Sequence, residues 1–195
     1  MSPDGAGPVP GIAPEGATWR PRTPPPRGIP ATPPGPGQES AWDYPRPPAV
    51  EASGEHVVVR LGTTVVADTW RAVRVLETSH PPTYYLPRQD VADGALVPAD
   101  GASWCEFKGR AAYFDVVGVD ERGERLVVPG AAWTYLDPTP AFAAITGHIA
   151  LYPGRMTACT VDGEVVRPQE GGFYGGWITD RVVGPLKGSP GTLGW

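Results

Sequence analysis

From His56 onward, β-branched and apolar residues alternate with polar ones in short runs, and a turn residue closes almost every run. Alternation at period two turns one face of each run toward a core and the other toward solvent, the pattern of half-buried strands, and the frequent turns leave little room for long helices. Residues 56–61 and 63–68 read as a hairpin about Gly62, and residues 72–77 as a third strand. After the break at His80-Pro81-Pro82, residues 83–86 resume a strand, residues 88–91 make one helical turn, and residues 97–102 read as a loop. Residues 111–119 and 124–128 are expected to pair through Asp120-Glu121-Arg122-Gly123. Asp162-Gly163 suits the positive φ values of a type I′ turn. Residues 138–145 are the one segment expected to be helical, with Pro140 near its start and Gly147 closing it; residues 149–152 return to strand. The fold class expected is all-β, or at most β-rich α+β, with one short helix.

Composition divides the chain. The first fifty residues hold fifteen of the 26 prolines and seven of the 26 glycines. Such a segment cannot bury enough apolar surface to offset the entropy of ordering it, so residues 1–40 are expected to form a disordered tail and residues 41–195 a single domain. Arg22-Thr23-Pro24-Pro25-Pro26-Arg27 and Ala31-Thr32-Pro33-Pro34-Gly35-Pro36 favour polyproline II, which serves as a spacer or as a docking segment for a protein partner; the spacer is preferred.

The net charge of −5 belongs to the domain, because four basic and four acidic residues lie in the first fifty against twelve and seventeen in the rest. No basic stripe is present to neutralise phosphates, which argues against nucleic-acid binding. No apolar run approaches the roughly 20 residues of a membrane span, and the start lacks the pattern of a signal peptide. Cys105 and Cys159 are then expected to be reduced cytosolic thiols, although their spacing does not exclude a disulfide.

The densest chemistry lies in Trp104-Cys105-Glu106-Phe107-Lys108-Gly109-Arg110-Ala111-Ala112-Tyr113-Phe114-Asp115 and in Ala132-Trp133-Thr134-Tyr135. Strand parity puts Trp133 with Tyr135 on one face and Tyr113 with Asp115 on another. If both faces turn inward they form an aromatic cleft with a carboxylate at its rim, suited to a flat or cationic small molecule; otherwise these rings are plain core. Tyr84, Arg88, Trp104 and Lys108 join Tyr113, Trp133 and Tyr135 as candidate ligand contacts. His80, Asp115 and Cys105 are the candidate catalytic groups. For Cys105 a buried inert thiol is preferred, because an extended strand would point it away from Glu106 and Lys108, which would then pair with each other. Arg88 is expected to pair with Asp90 rather than grip a ligand. His56, His80 and His148 are too scattered for metal-ligand spacing, and no phosphate-binding loop is found, so no metal or cofactor is expected. The glycine-rich run from Gly171 to Trp177, with Trp195 at the end, is expected to plug the domain rather than act as a lid.

Several blocks carry a family resemblance: Tyr84-Tyr85-Leu86-Pro87-Arg88-Gln89-Asp90-Val91, the run from Cys105 to Asp115, Ala132-Trp133-Thr134-Tyr135 and Ile145-Thr146-Gly147-His148-Ile149-Ala150-Leu151-Tyr152. Over about residues 55–165 the chain resembles the domain of unknown function 427 family, which is common in bacteria and has no settled activity. The resemblance implies a β-tent-like pair of antiparallel sheets, as in the thalidomide-binding domain of cereblon and one class of methionine sulfoxide reductases. Those relatives hold a structural zinc through paired-cysteine motifs; this chain has no Cys-x-x-Cys, so that site is expected to be absent. A nucleotidyltransferase-like activity sometimes ascribed to the family lacks its Gly-Ser and spaced aspartates here. The functions the sequence admits are a small-molecule-binding domain, a metal-independent enzyme working through His80 or Asp115, and an adaptor acting through the proline-rich tail.

Overall fold

A computed structural model of the chain describes residues 12–13, 29, 32–188 and 190–192. In chain order the strands are β1 (Ile12–Ala13), β2 (Glu39–Ser40), β3 (Ala49–Ala52), β4 (Val57–Leu61), β5 (Thr64–Thr69), β6 (Val73–Leu76), β7 (Thr83–Tyr85) and β8 (Leu96–Cys105). There follow β9 (Gly109–Val119), β10 (Arg125–Thr134), β11 (Ala150–Leu151), β12 (Ala158–Val161), β13 (Glu164–Val165), β14 (Arg167–Pro168), β15 (Trp177–Ile178) and β16 (Val182–Val183). Among the described residues they form three four-stranded sheets, β1-β3-β6-β7, β11-β10-β9-β8 and β13-β12-β4-β5, and two pairs, β14-β15 and β16-β2. The fold is all-β, and its strands are shared among three larger sheets where the resemblance implied two. The expected helix is the 3-10 segment Pro140–Ile145, broken at Phe142 (φ −114, ψ 15). Arg88–Asp90 makes the expected single turn.

Local chemistry explains most of these elements. Asp162 (φ 48) and Gly163 (φ 83) carry the positive φ values that close β12 onto β13. β9 pairs with β10 from Val119↔Arg125, as the pattern predicts, but β10 continues past a bulge between Val128 and Ala132 to Thr134. The expected loop at residues 97–102 is instead part of the ten-residue strand β8. It is an edge strand, largely exposed from Val97 to Trp104, so no buried face imposes apolar alternation on it. Asp100-Gly101, which mimics a turn signal, falls where the β8–β9 register shifts between Ala99 and Ala102.

Adjacent side chains divide between two cores. Tyr84, Ala132 and Leu151 belong to one apolar cluster with Val57, Val59, Val116 and Trp177. Their neighbours Tyr85, Trp133 and Ala150 belong to a second with Val73, Val75, Tyr135, Phe142 and Ile145. Both faces of these strands are therefore buried, which alternation with solvent does not describe. A third, smaller cluster of Ala41, Tyr44, Leu76 and Val182 joins segments near both ends of the described chain.

Arg74, between Val73 and Val75 on β6, is 2% exposed and faces away from their core. Its guanidinium pairs with its cross-strand partner Glu51 and, at 2.5 Å, with Glu39 of β2. Arg181 approaches Glu39 at 3.7 Å and donates to Glu55 at 2.8 Å. Glu55 also accepts hydrogen bonds from the Tyr84 hydroxyl and from Ser53 Oγ, both at 2.7 Å. Burial raises the Glu51 pKa more than Arg74 lowers it. Burial also acts to raise Glu55, but the Tyr84 and Ser53 hydrogen bonds and the two guanidinium groups outweigh it and hold its carboxyl low.

Removing one partner of a buried charge network strands the others without compensation. Arg74→Gln is expected to cost about 3–5 kcal/mol, read as a lower urea midpoint with an unchanged slope. Because the folded-state pKa of Glu55 is depressed, its contribution is present above the usual 4.5 and is lost as pH falls through the folded value. Glu55→Gln is therefore expected to flatten the acid limb of the stability profile, measured by urea titration at pH values spanning that region.

Candidate functional site

The second core is incompletely filled. A cavity of ≈ 340 Å³ opens between sheets β1-β3-β6-β7 and β11-β10-β9-β8. Val75, Thr83 and Tyr85 line it from the first sheet, and Ser103, Trp104, Cys105, Tyr113 and Trp133 from the second. Tyr135 and Tyr152 follow immediately after β10 and β11, and Gln169, Phe173, Tyr174 and Gly175 close one side. The walls are aromatic and mutually braced. Trp133 lies 4.5 Å from Tyr152 between ring centroids, and its Nε1–H donates to the Tyr85 hydroxyl at 3.3 Å. Tyr113 is the cross-strand partner of Trp133, and its hydroxyl meets Ser103 Oγ at 2.7 Å.

Burial sets the protonation of this wall. It raises the pKa of Tyr85, and burial followed by the Cys105 thiol raises that of Tyr135. Burial and neighbouring Tyr113 push Tyr152 up to about 12. These phenols stay neutral at ordinary pH and supply donors and acceptors without charge. His80 also lines the cavity, stacked edge-on at 5.0 Å against Tyr174. Burial lowers its pKa below 6.5, against the opposing pull of Glu77, so the imidazole is neutral at pH 7. Its Nδ1 lies 3.0 Å from the Thr78 carbonyl, which assigns the proton to Nδ1 and leaves Nε2 an acceptor.

The expected shared face of Trp133 and Tyr135, with Tyr113 beside them, is present in this wall. Trp104 is 77% exposed at the mouth. Cys105 and Lys108 line the same cavity, contrary to the parity argument, because β8 ends at Cys105 and residues 106–108 form a turn. Glu106 pairs with Arg46 rather than with Lys108, whose Nζ lies 5.4 Å from the centre of the Phe142 ring. Asp115 is not among the lining residues: its Oδ1 accepts the Gly130 N–H at 2.8 Å and secures the β10 bulge. Tyr84 lies in the other core with its hydroxyl on Glu55. Arg88 donates to the Val91 carbonyl at 3.5 Å, and Asp90 pairs with Arg71 in its place.

Both cysteines are free, and burial pushes the Cys159 thiol up to about 12, away from any reactive state. Among the described residues no group of three or more His, Cys, Asp or Glu side chains is placed to hold a metal ion. Of the glycine-rich segment, Trp177 is the buried plug, with Nε1–H donating to the Leu151 carbonyl at 3.2 Å, whereas Phe173 is 78% exposed. Trp195 lies outside the described residues.

A family profile described as "Domain of unknown function (DUF427)" matches residues 49–162. The chain belongs to the DUF427 family. No curated protein matches it. The DUF427 match contains the strands that carry Tyr85, Tyr113 and Trp133, but Arg46, Gln169, Phe173, Tyr174, Gly175 and Lys187 lie outside it. The cavity is thus a DUF427 interior completed by flanking segments. Sequence reading missed Arg46, Gln169 and Lys187, and set the lid role of the Gly171–Trp177 run second, because nothing in a loop residue's own neighbourhood says which distant strand it will cover. It missed Tyr85 and Tyr152 because alternation pairs residues on a face without saying which face meets the cavity.

Gly175 is the point of closest approach, since a Cβ there would overlap the Trp133 ring. Gly175→Ala is expected to displace this segment and cost about 1–3 kcal/mol by overpacking, with amide NMR shifts concentrated around Trp133. The depressed His80 pKa gives stability that is present above 6.5 and lost as pH falls through the folded value. His80→Asn is expected to remove that part of the pH dependence from chemical denaturation curves.

Proposed function

We propose that this protein binds a flat aromatic small molecule in the cavity bounded by Tyr85, Tyr113, Trp133, Tyr135 and Tyr152. The observation that carries the reading is a concave site of ≈ 340 Å³ between two sheets, walled by rings and edged by neutral hydroxyls. Small-molecule sites have this make-up of apolar walls with a few convergent polar groups. Stacking on Trp133 and Tyr152 would supply affinity, while Ser103, the phenols and neutral His80 would fix orientation. Nucleoside-like and other heteroaromatic metabolites match this set.

An enzymatic reading has one supporting observation: His80, neutral with an acceptor nitrogen, lines the same cavity as Cys105. In that reading His80 is the base and Asp115, held at the bulge, has only a structural part. Turnover lost in His80→Gln with binding kept would favour it over simple binding.

The test of binding is a thermal-shift screen of the whole chain against nucleosides and heteroaromatic metabolites. At a hundred times its dissociation constant a ligand adds about 2.7 kcal/mol of stability, a shift of several degrees. The shift is expected to disappear in Trp133→Ala and to shrink in Trp104→Ala, whose exposed indole can be lost without a core defect. A shift that survives in both variants would place binding elsewhere.

A further inference from the structure

One hydrogen bond in the cavity wall has a direction that chemistry fixes. An indole N–H only donates, so the Trp133 Nε1–H bond at 3.3 Å makes the Tyr85 oxygen the acceptor and turns the phenol proton elsewhere. Among the described residues no acceptor is hydrogen-bonded to that proton. The adjacent Tyr84 shows the contrast, since its hydroxyl donates to Glu55 at 2.7 Å. Tyr85 is 1% exposed, so bulk solvent does not serve its proton, and a buried donor without a partner is costly. Burial also keeps this phenol protonated far above neutral pH.

The hydroxyl is held where it stands and its neighbours do not relieve it. Tyr85 is in register with Val73 of β6, and its ring lies 6.4 Å from those of both Trp133 and Tyr135. Ser103 Oγ and the Tyr113 hydroxyl share one bond at 2.7 Å between two protons. Tyr113 also meets Tyr152, and Tyr135 meets the Cys105 thiol. Any of these hydroxyls that took the Tyr85 proton would have to place its own, so the surplus would move without being resolved. His80 Nε2, the acceptor on the same wall, is bonded to none of them. Ser103 is exposed and Tyr113 and Tyr152 are half-buried, so the mouth can give its protons to water while Tyr85 cannot.

We propose that the ligand carries a ring carbonyl, directed into the cavity and taken by the Tyr85 hydroxyl. This rests on the aromatic-site reading above and narrows it from flat rings in general to oxo-substituted ones. A carbonyl oxygen has two in-plane lone pairs, one for Tyr85 and one for a neighbouring hydroxyl, whereas an aromatic ring nitrogen has one. A ring that brings only N–H groups to that edge meets a donor with a donor and is disfavoured.

Indole and oxindole, the same fused bicycle without and with a carbonyl, separate the two claims when titrated calorimetrically into the whole chain. Oxindole is expected to bind at least about fivefold more tightly than indole. In Tyr85→Phe, which removes the hydroxyl and keeps the ring, that preference is expected to fall below about twofold while indole affinity is kept. Tyr135→Phe, the matching loss of a neighbouring phenol, is expected to retain most of it. If Tyr85→Phe does not fold, the infrared carbonyl stretch of oxindole bound to the unaltered protein decides instead, and is expected below its frequency in an apolar solvent. Equal binding of the two probes, or tighter binding of indole, would overturn the carbonyl inference and leave the aromatic site standing. A preference that survives in Tyr85→Phe, or a bound carbonyl stretch at its apolar-solvent frequency, would remove the assignment to Tyr85. Binding of neither probe would count against the aromatic site and the inference together.

Discussion

The guanidinium of Arg74 lies on a sheet face with almost no access to water, and a charge so placed has to be met by others. Glu51 answers it from the adjacent strand in register, and Glu39 answers it from β2. Two carboxylates around one cation then require the second guanidinium, Arg181, which in turn reaches Glu55. Glu39 and Arg181 lie outside the family match on either side, while Glu51, Glu55 and Arg74 lie within it. The network therefore ties both flanks to the outer face of the sheet whose inner face helps to form the cavity. Its value is placement, since a buried ion network contributes less net stability than a well-packed apolar one but is costly to break at any single member.

That placement carries through to the site. The segment after β2 brings Arg46 to the mouth, and the chain on either side of Arg181 brings Tyr174, Gly175 and Lys187. Ala41 and Leu76, close to these charges, pack with Val182 into the small third core. The cavity wall nearest the flanks thus depends on electrostatics on the far side of one sheet, and the wall nearest Trp133 and Tyr113 depends on strand register. Phe173 and Trp104, both exposed at the mouth, are the aromatic edge where the two kinds of support meet.

Where sequence reading succeeded, the physics was local. Period-two alternation found the β4–β5 hairpin and the pairing of β9 with β10, and Asp162-Gly163 announced its own turn. Parity grouped Trp133 with Tyr135, and that grouping is present in the cavity wall. Where reading failed, the deciding contact was remote. Residues 97–102 read as a loop but lie within β8, because an edge strand carries no buried face to mark it. Arg88 and Asp90 find separate partners because Arg71, distant in sequence, competes for the carboxylate. Asp115 secures a bulge in the neighbouring strand that its own surroundings do not reveal.

By itself the sequence determined an all-β chain of short strands, its family, and which aromatic residues share a strand face, because strand period, turn chemistry and side-chain parity act over a few residues. Only the tertiary structure decided that both faces of the central strands are buried, that Tyr85 rather than Tyr84 meets the cavity, and that Arg46 and Lys187 line its wall. Those outcomes depend on which distant segments cover a given face, and burial of apolar surface, unlike a turn, does not specify its partner by sequence distance.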